Sequence, residues 1–203
     1  MKALLLCDKS PEFKSYQNSL KIHLSKLGYE SHINAESCST LLYQLVEHKP
    51  DVIIVITRTP NPTLLETIRY IDSEQPLPII VLAQSSDQAT TVDATTSGIS
   101  VYITDDWPLQ RIGSVLDVAI ARFKFQQKQN SELASYKQRL TDRINLDKAK
   151  GILMEYQQVS ENVAHGLLRK MAMDQNLRMG EVAKNIISTQ PLLYRQRSEA
   201  VAE

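Results

Sequence analysis

The run Val52-Ile53-Ile54-Val55-Ile56 constrains this chain more than any other part of it. Five consecutive apolar residues with no polar alternation describe a strand covered on both faces, as in the centre of a parallel sheet flanked by helices. Shorter apolar runs surround it, and strands are expected over Ala3–Cys7, Glu30–Asn34, Ile79–Ala83 and Ser100–Ile103. Amphipathic stretches alternate with them and predict helices over Glu12–Leu27, Cys38–His48, Pro62–Glu74 and Asp87–Thr96. Five strands with intervening helices predict an α/β flavodoxin-like domain over residues 1–121, with its functional crevice at the carboxyl ends of the strands.

From Pro108 to Tyr156 there is no proline, and the only glycines are Gly113 and Gly151. That stretch predicts one long helix or two abutting ones. A heptad frame places Leu116, Phe123, Asn130, Lys137 and Ile144 at one seam position and Ile112, Ala119, Gln126, Leu133 and Leu140 at the other. Residues 108–144 are therefore expected to form a coiled-coil dimerisation linker, with Ile112, Leu116, Ala119, Phe123, Leu133 and Leu140 as its apolar contacts. A lone amphipathic helix packed on its own domain is the alternative.

Residues 141–197 predict a small all-α three-helix bundle. Ala149, Ile152, Leu153 and Tyr156 share a face of its first helix, and Ser160 can cap a second helix carrying Val163, Leu167, Leu168 and Met171. Val182, Ala183, Ile186 and Ile187 stripe a third helix ahead of Pro191. A core of this size is marginal by itself.

The formal net charge is zero, but the charges are segregated. Residues 1–121 carry 9 Lys and Arg against 14 Asp and Glu, whereas residues 122–197 carry 14 against 7. The basic half suits a polyanion, because counterion release on phosphate neutralisation supplies affinity whatever sequence is read. Cys7 and Cys38 make neither a disulfide framework nor a metal cluster. There is no membrane-length apolar run and no signal-type start, so a cytoplasmic protein is expected. With no paired carboxylates, nucleophile and base, Gly-rich phosphate loop or metal spacing, the chain reads as a non-enzyme that needs no cofactor or metal.

By the order of its elements the N-terminal domain resembles a two-component receiver. In that family an acid pair after the first strand and an aspartate ending the third hold magnesium and accept phosphate, and a Ser/Thr and a Lys complete the site. On this sequence the resemblance places Cys7 and Asp8 at the acid pair, Ile56 at the acceptor, Ala83 at the Ser/Thr and Asp105 at the Lys. Of these only Asp8 keeps the required chemistry, since an acyl phosphate needs a carboxylate nucleophile. Thr57, one residue on, would need an activating base. Tyr102 matches the coupling aromatic, or is a strand residue with a wet hydroxyl. The implied state is a pseudo-receiver.

The segment Arg143 to Ser188 contains the block Ala149-Lys150-Gly151-Ile152-Leu153-Met154, followed by Ser160, Ala164, Leu167-Leu168-Arg169, Ala172 and Val182-Ala183. It resembles the ANTAR family of RNA-binding antiterminators. The resemblance implies a bundle that binds paired RNA hairpins in leader mRNA and prevents a terminator from forming. It also implies a regulator held inactive by a ligand-sensing partner of periplasmic-binding-protein fold, with nitrate assimilation as the nearest group, while the heptad seam predicts a homodimer. Candidate RNA contacts are Arg143, Lys148, Ala149, Lys150, Gly151, Arg169, Lys170 and Arg178. The cations would meet phosphates or base edges, while Ala149 and Gly151 would let a loop approach or let helices pack closely. A DNA-binding response regulator and a protein-only signalling adaptor are the competing readings.

Overall fold

The computed structural model describes residues 1–200 apart from Lys9, Glu36, Asp106 and Pro108, with the side chains of 32–34 and 190–200 also outside the description. Pro108, the expected start of the linker, thus lies outside the described residues. The elements run β1 (Lys2–Cys7), α1 (Pro11–Lys26), β2 (Glu30–Ala35), α2 (Cys38–His48), β3 (Val52–Thr57), α3 (Pro62–Glu74), β4 (Ile79–Ala83), α4 (Gln88–Thr96) and β5 (Val101–Thr104). A short 3-10 turn, Leu109–Arg111, leads into α5 (Ile112–Gln157), α6 (Glu161–Gln175) and α7 (Met179–Ala200). The chain divides into two compact units, Met1–Gln127 and Lys128–Glu203, with the boundary inside α5.

In the first unit the strands form one parallel sheet in the order β2-β1-β3-β4-β5. β3 is buried at every position, as its unbroken apolar run requires. Alternate residues feed two cores. Ala3, Leu5, Cys7, Ile54 and Ile56 meet Phe13, Leu20 and Leu24 of α1 and Ile112, Leu116 and Ala119 of α5. Leu4, Leu6, Ile53 and Val55 meet Leu41 and Leu45 of α2 and Leu64, Ile68 and Ile71 of α3. Helix starts are set by local chemistry: Ser37 and Thr40 form a reciprocal capping box, Asn61 caps α3 and Asp87 caps α4. β5 begins one residue later than expected, because Ser100 turns its hydroxyl inward to accept the Ile79 N–H (3.3 Å).

The seam expectation needs correction at its start. Ile112, Leu116 and Ala119 are 3%, 1% and 0% exposed and belong to the first unit's core. Over two turns a heptad repeat and the core-facing stripe of a domain's own last helix cannot be told apart. Further along α5 the stripe is uncovered: Leu133, Leu140 and Ile144 are 54%, 62% and 46% exposed.

The second unit closes a core of Ala149, Ile152 and Leu153 from α5, Ala164, Leu168 and Ala172 from α6, and Val182, Ala183 and Ile186 from α7. Three expectations shift here. Val163 and Tyr156 point outward. Ser160 precedes α6 in an extended conformation without a capping side-chain bond. α7 runs through Pro191 to Ala200, so loss of one backbone donor weakens the helix there without ending it. α6 stops at Asn176, whose left-handed φ of 54° lets the Leu177 N–H reach back to the Ala172 carbonyl (3.0 Å).

Candidate nucleic-acid interface and degenerate receiver crevice

At the carboxyl edge of the sheet, Cys7 pairs with Ile56 and Thr57 with Ala83. Both positions that would carry phosphoryl chemistry are apolar and sealed, Ile56 and Ala83 being fully buried. Asp8 follows β1 directly. Its N–H binds the Ile56 carbonyl (3.0 Å), and its carboxylate accepts the Thr57 hydroxyl (2.8 Å) and the Arg58 N–H (3.0 Å). The surviving acid thus ties the end of β1 to the end of β3. Thr57 does have a carboxylate beside it, which sequence reasoning did not find, but its hydroxyl is buried and also donates toward the Thr59 carbonyl.

Burial and the neighbouring Asp8 charge push the Cys7 thiol up to about 11, which keeps it protonated at neutral pH. Asp105, where the resemblance puts a lysine, sits in the left-handed region (φ 68°) with its N–H on the Ala83 carbonyl (3.3 Å). The same carbonyl accepts the Trp107 indole N–H (3.0 Å). That ring stacks against Phe13 and Tyr16, at centroid separations of 5.4 and 4.9 Å. Trp107 was missed by sequence reasoning, because its role depends on α1 and β4 meeting beside it. Tyr102 has its hydroxyl buried without a partner, so it is not the wet strand tyrosine of the alternative reading.

Beside Asp8 a cleft of about 380 Å³ remains, lined by Cys7, Ser37, Cys38, Thr57 and Asn61 among others. Among the described lining residues Asp8 is the one carboxylate, and it is already hydrogen-bonded. This donor set does not fit the magnesium that receivers use, which calls for one or two free carboxylates together with phosphate. Among the described residues no group of three or more His, Cys, Asp or Glu could hold a metal ion, and no helix is long and apolar enough to cross a membrane.

In the second unit the eight candidate RNA contacts separate into four kinds. Arg143, Lys148, Arg169, Lys170 and Arg178 are exposed. Ala149 is fully buried against α6 and α7, so it serves helix packing and cannot meet RNA. Lys150 is spoken for: its ammonium pairs with Asp147 (2.9 Å) and Glu161 (2.6 Å), joining α5 to α6 at 18% side-chain exposure. Hydrogen bonds to Glu161 and Asp147 raise its pKa. Its i, i+3 pair with Asp147 is visible in sequence, whereas Glu161 is reached only because the α5–α6 turn folds back.

Gly151 is exposed, and a Cβ built there meets nothing within 4 Å. With Ile144, Lys148 and Glu155 it forms an i, i+4, i+7, i+11 row on the side of α5 away from Ala149 and Leu153. Gly180 is the more crowded glycine: a Cβ there would lie 2.5 Å from an Asp142 side-chain oxygen, so that side chain would have to move.

A parallel β2-β1-β3-β4-β5 sheet whose crevice has Ile56 and Ala83 at the positions of phosphoryl chemistry, followed by a separate helical bundle, defines a receiver-like domain joined to a helical one. Residues 134–187 match the family model of the ANTAR domain. Transcriptional regulatory protein PdtaR of Mycobacterium tuberculosis is 26% identical over 142 residues, which span 70% of this chain and 69% of that protein. The Nitrate regulatory protein of Klebsiella oxytoca is 38% identical over 92 residues, 43% of this chain but 23% of that protein. Among solved structures, a two-component response regulator from Clostridium difficile superimposes with a TM-score of 0.51 at 17% identity, over 60% of this chain and 98% of that one. That likeness establishes the receiver fold alone. The chain carries an ANTAR-type domain over residues 134–187 behind an N-terminal domain of receiver fold.

Proposed function

We propose that this protein is an RNA-binding transcription antiterminator that engages paired hairpins in a leader mRNA and so prevents a terminator from forming. The observation that carries this reading is the coincidence of the ANTAR match, residues 134–187, with a bundle whose outer surface presents Lys148, Arg169, Lys170 and Arg178 without an ion pair among the described residues. Together with Arg143 they are the proposed phosphate and base-edge contacts, and Gly151 is the proposed point of close approach.

Control is assigned to a protein contact instead of phosphorylation. Ile56, Ala83 and the hydrogen-bonded Asp8 leave no acceptor, which favours a ligand-sensing partner of periplasmic-binding-protein fold. The similarity to the Nitrate regulatory protein supports nitrate or nitrite assimilation genes as the target. The uncovered Leu133, Leu140 and Ile144 support a homodimer through the distal part of α5.

A gel shift with a two-hairpin RNA, a scrambled single hairpin and a matched duplex DNA tests the core of the reading. Preferential retardation of the two-hairpin RNA is expected. Equal or stronger retardation of the duplex would replace it with a DNA-binding regulator, and retardation of none would leave a protein-only adaptor.

A further inference from the structure

The turn between α6 and α7 forms a surface that the antiterminator reading does not by itself explain. A shallow cleft of about 500 Å³ lies there, lined by Arg169, Ala172 and Met173 of α6, Asn176 and Leu177 of the turn, and Arg178 beyond it. Two of its apolar lining residues are open to solvent: Met173 is 72% exposed and Leu177 40%. Neither is needed for the bundle's core, which closes on Ala164, Leu168 and Ala172 from this helix. Arg169 and Arg178 line it and have no ion pair among the described residues. Glu181, the acid beside them, turns its carboxylate to the Arg178 N–H (2.9 Å), so it caps α7 and leaves the arginine side chain free. The left-handed Asn176 holds the turn open by ending α6 one residue before Leu177.

Exposed apolar side chains and two arginines without an ion pair among the described residues, lining one cleft on the basic half of the chain, have the chemistry of a stacking platform for an unpaired base. Thioether and aliphatic surface meets the π face, a guanidinium plane stacks on it or binds a flanking phosphate, and an amide such as that of Asn176 reads an edge. Arg169 and Met173 are one helical turn apart and so lie on one face of α6. We propose that this α6–α7 cleft is a nucleobase pocket that takes one flipped-out base of a hairpin loop, with Arg169 and Arg178 on the adjacent phosphates. The proposal rests on the RNA-binding reading and adds to it a specific pocket on the opposite sequence flank from the Ala149–Met154 block.

The test uses the full chain and a two-hairpin RNA carrying 2-aminopurine, in turn, at each loop position, together with the same RNA made abasic at each position. Wild-type protein should change the fluorescence of one loop position sharply, and removing the base at that position should weaken binding by roughly tenfold, the scale of one lost stacking contact. Met173→Ser with Leu177→Ser should abolish the fluorescence change, bind intact RNA as weakly as wild type binds the abasic RNA, and lose nothing further on the abasic RNA. Arg169→Gln should lower the salt dependence as well, which the apolar variant should not.

If every abasic RNA binds wild type as intact RNA does, the pocket does not exist, whatever the variants do. The pocket is equally excluded if the apolar variant, folded by circular dichroism, binds as wild type. Those outcomes leave RNA binding intact. Failure of wild type to prefer the hairpins over scrambled RNA would instead remove the antiterminator reading and the pocket together.

Discussion

Gly151 and Lys150 adjoin in sequence but have different environments, and substitutions should separate them. Since a Cβ at Gly151 meets nothing, Gly151→Leu is expected to leave the helices intact by circular dichroism while lowering hairpin affinity, with little change in salt dependence. Melting of the bundle would show that Gly151 is a packing residue after all. Lys150→Ala should behave in the opposite manner: its ammonium is held by Asp147 and Glu161, so the melting temperature should fall while the log–log salt slope of RNA binding changes by less than the roughly 0.7 to 0.9 expected for one phosphate contact. A slope lowered by that full amount would place Lys150 on RNA. Cys7, with a thiol pushed up to about 11 by burial, should resist alkylation at pH 8 under native conditions while Cys38, half-buried, reacts. Peptide mapping after a timed iodoacetamide pulse decides this, and rapid labelling of Cys7 would mean that the end of β1 opens.

Among the elements, α5 does two unlike jobs along one continuous helix. Its first turns supply Ile112, Leu116 and Ala119 to the receiver-like core, and its last turns supply Ala149, Ile152 and Leu153 to the ANTAR core. Between them Leu133, Leu140 and Ile144 remain uncovered at heptad spacing. Replacing Leu133 and Leu140 together by Asp should therefore give monomers in sedimentation that melt at the wild-type temperature and bind hairpin RNA poorly. An unchanged assembly would assign dimerisation to another face. The equivalent change at Leu116 should unfold the first unit, because a charge there would be buried without a partner.

For the molecule as a whole, the consequence of the degenerate crevice is that acetyl phosphate with magnesium should leave its intact mass unchanged. Ile56 offers no nucleophile, Ala83 no hydroxyl, and Asp8 is occupied by Thr57 and Arg58. A stable phosphoryl adduct, labile to hydroxylamine, would overturn the pseudo-receiver. Ile56→Asp alone should not restore phosphorylation, since Ala83 still offers no hydroxyl and Asp105 stands where a lysine is needed.

Local chemistry was enough to determine the alternation of strands and helices, the parallel sheet implied by Val52–Ile56 and the three-helix bundle, while the degenerate crevice came only from the resemblance to receivers. The first three depend on periodicity, which is a property of residues close together in the chain. Ile112, Leu116 and Ala119 needed the tertiary structure, because a 3.5-residue repeat and a 3.6-residue repeat coincide over two turns and only the packed sheet shows which partner covers them. The same holds for Ala149 against Gly151, two small residues in one block: burial separates them, and burial is set by where α6 and α7 lie. Lys150 with Glu161, Asp8 with Thr57, and Trp107 over Ala83 were out of reach for one reason. Each joins groups brought together by a turn or a crossover, and a sequence specifies such a meeting only through the whole fold.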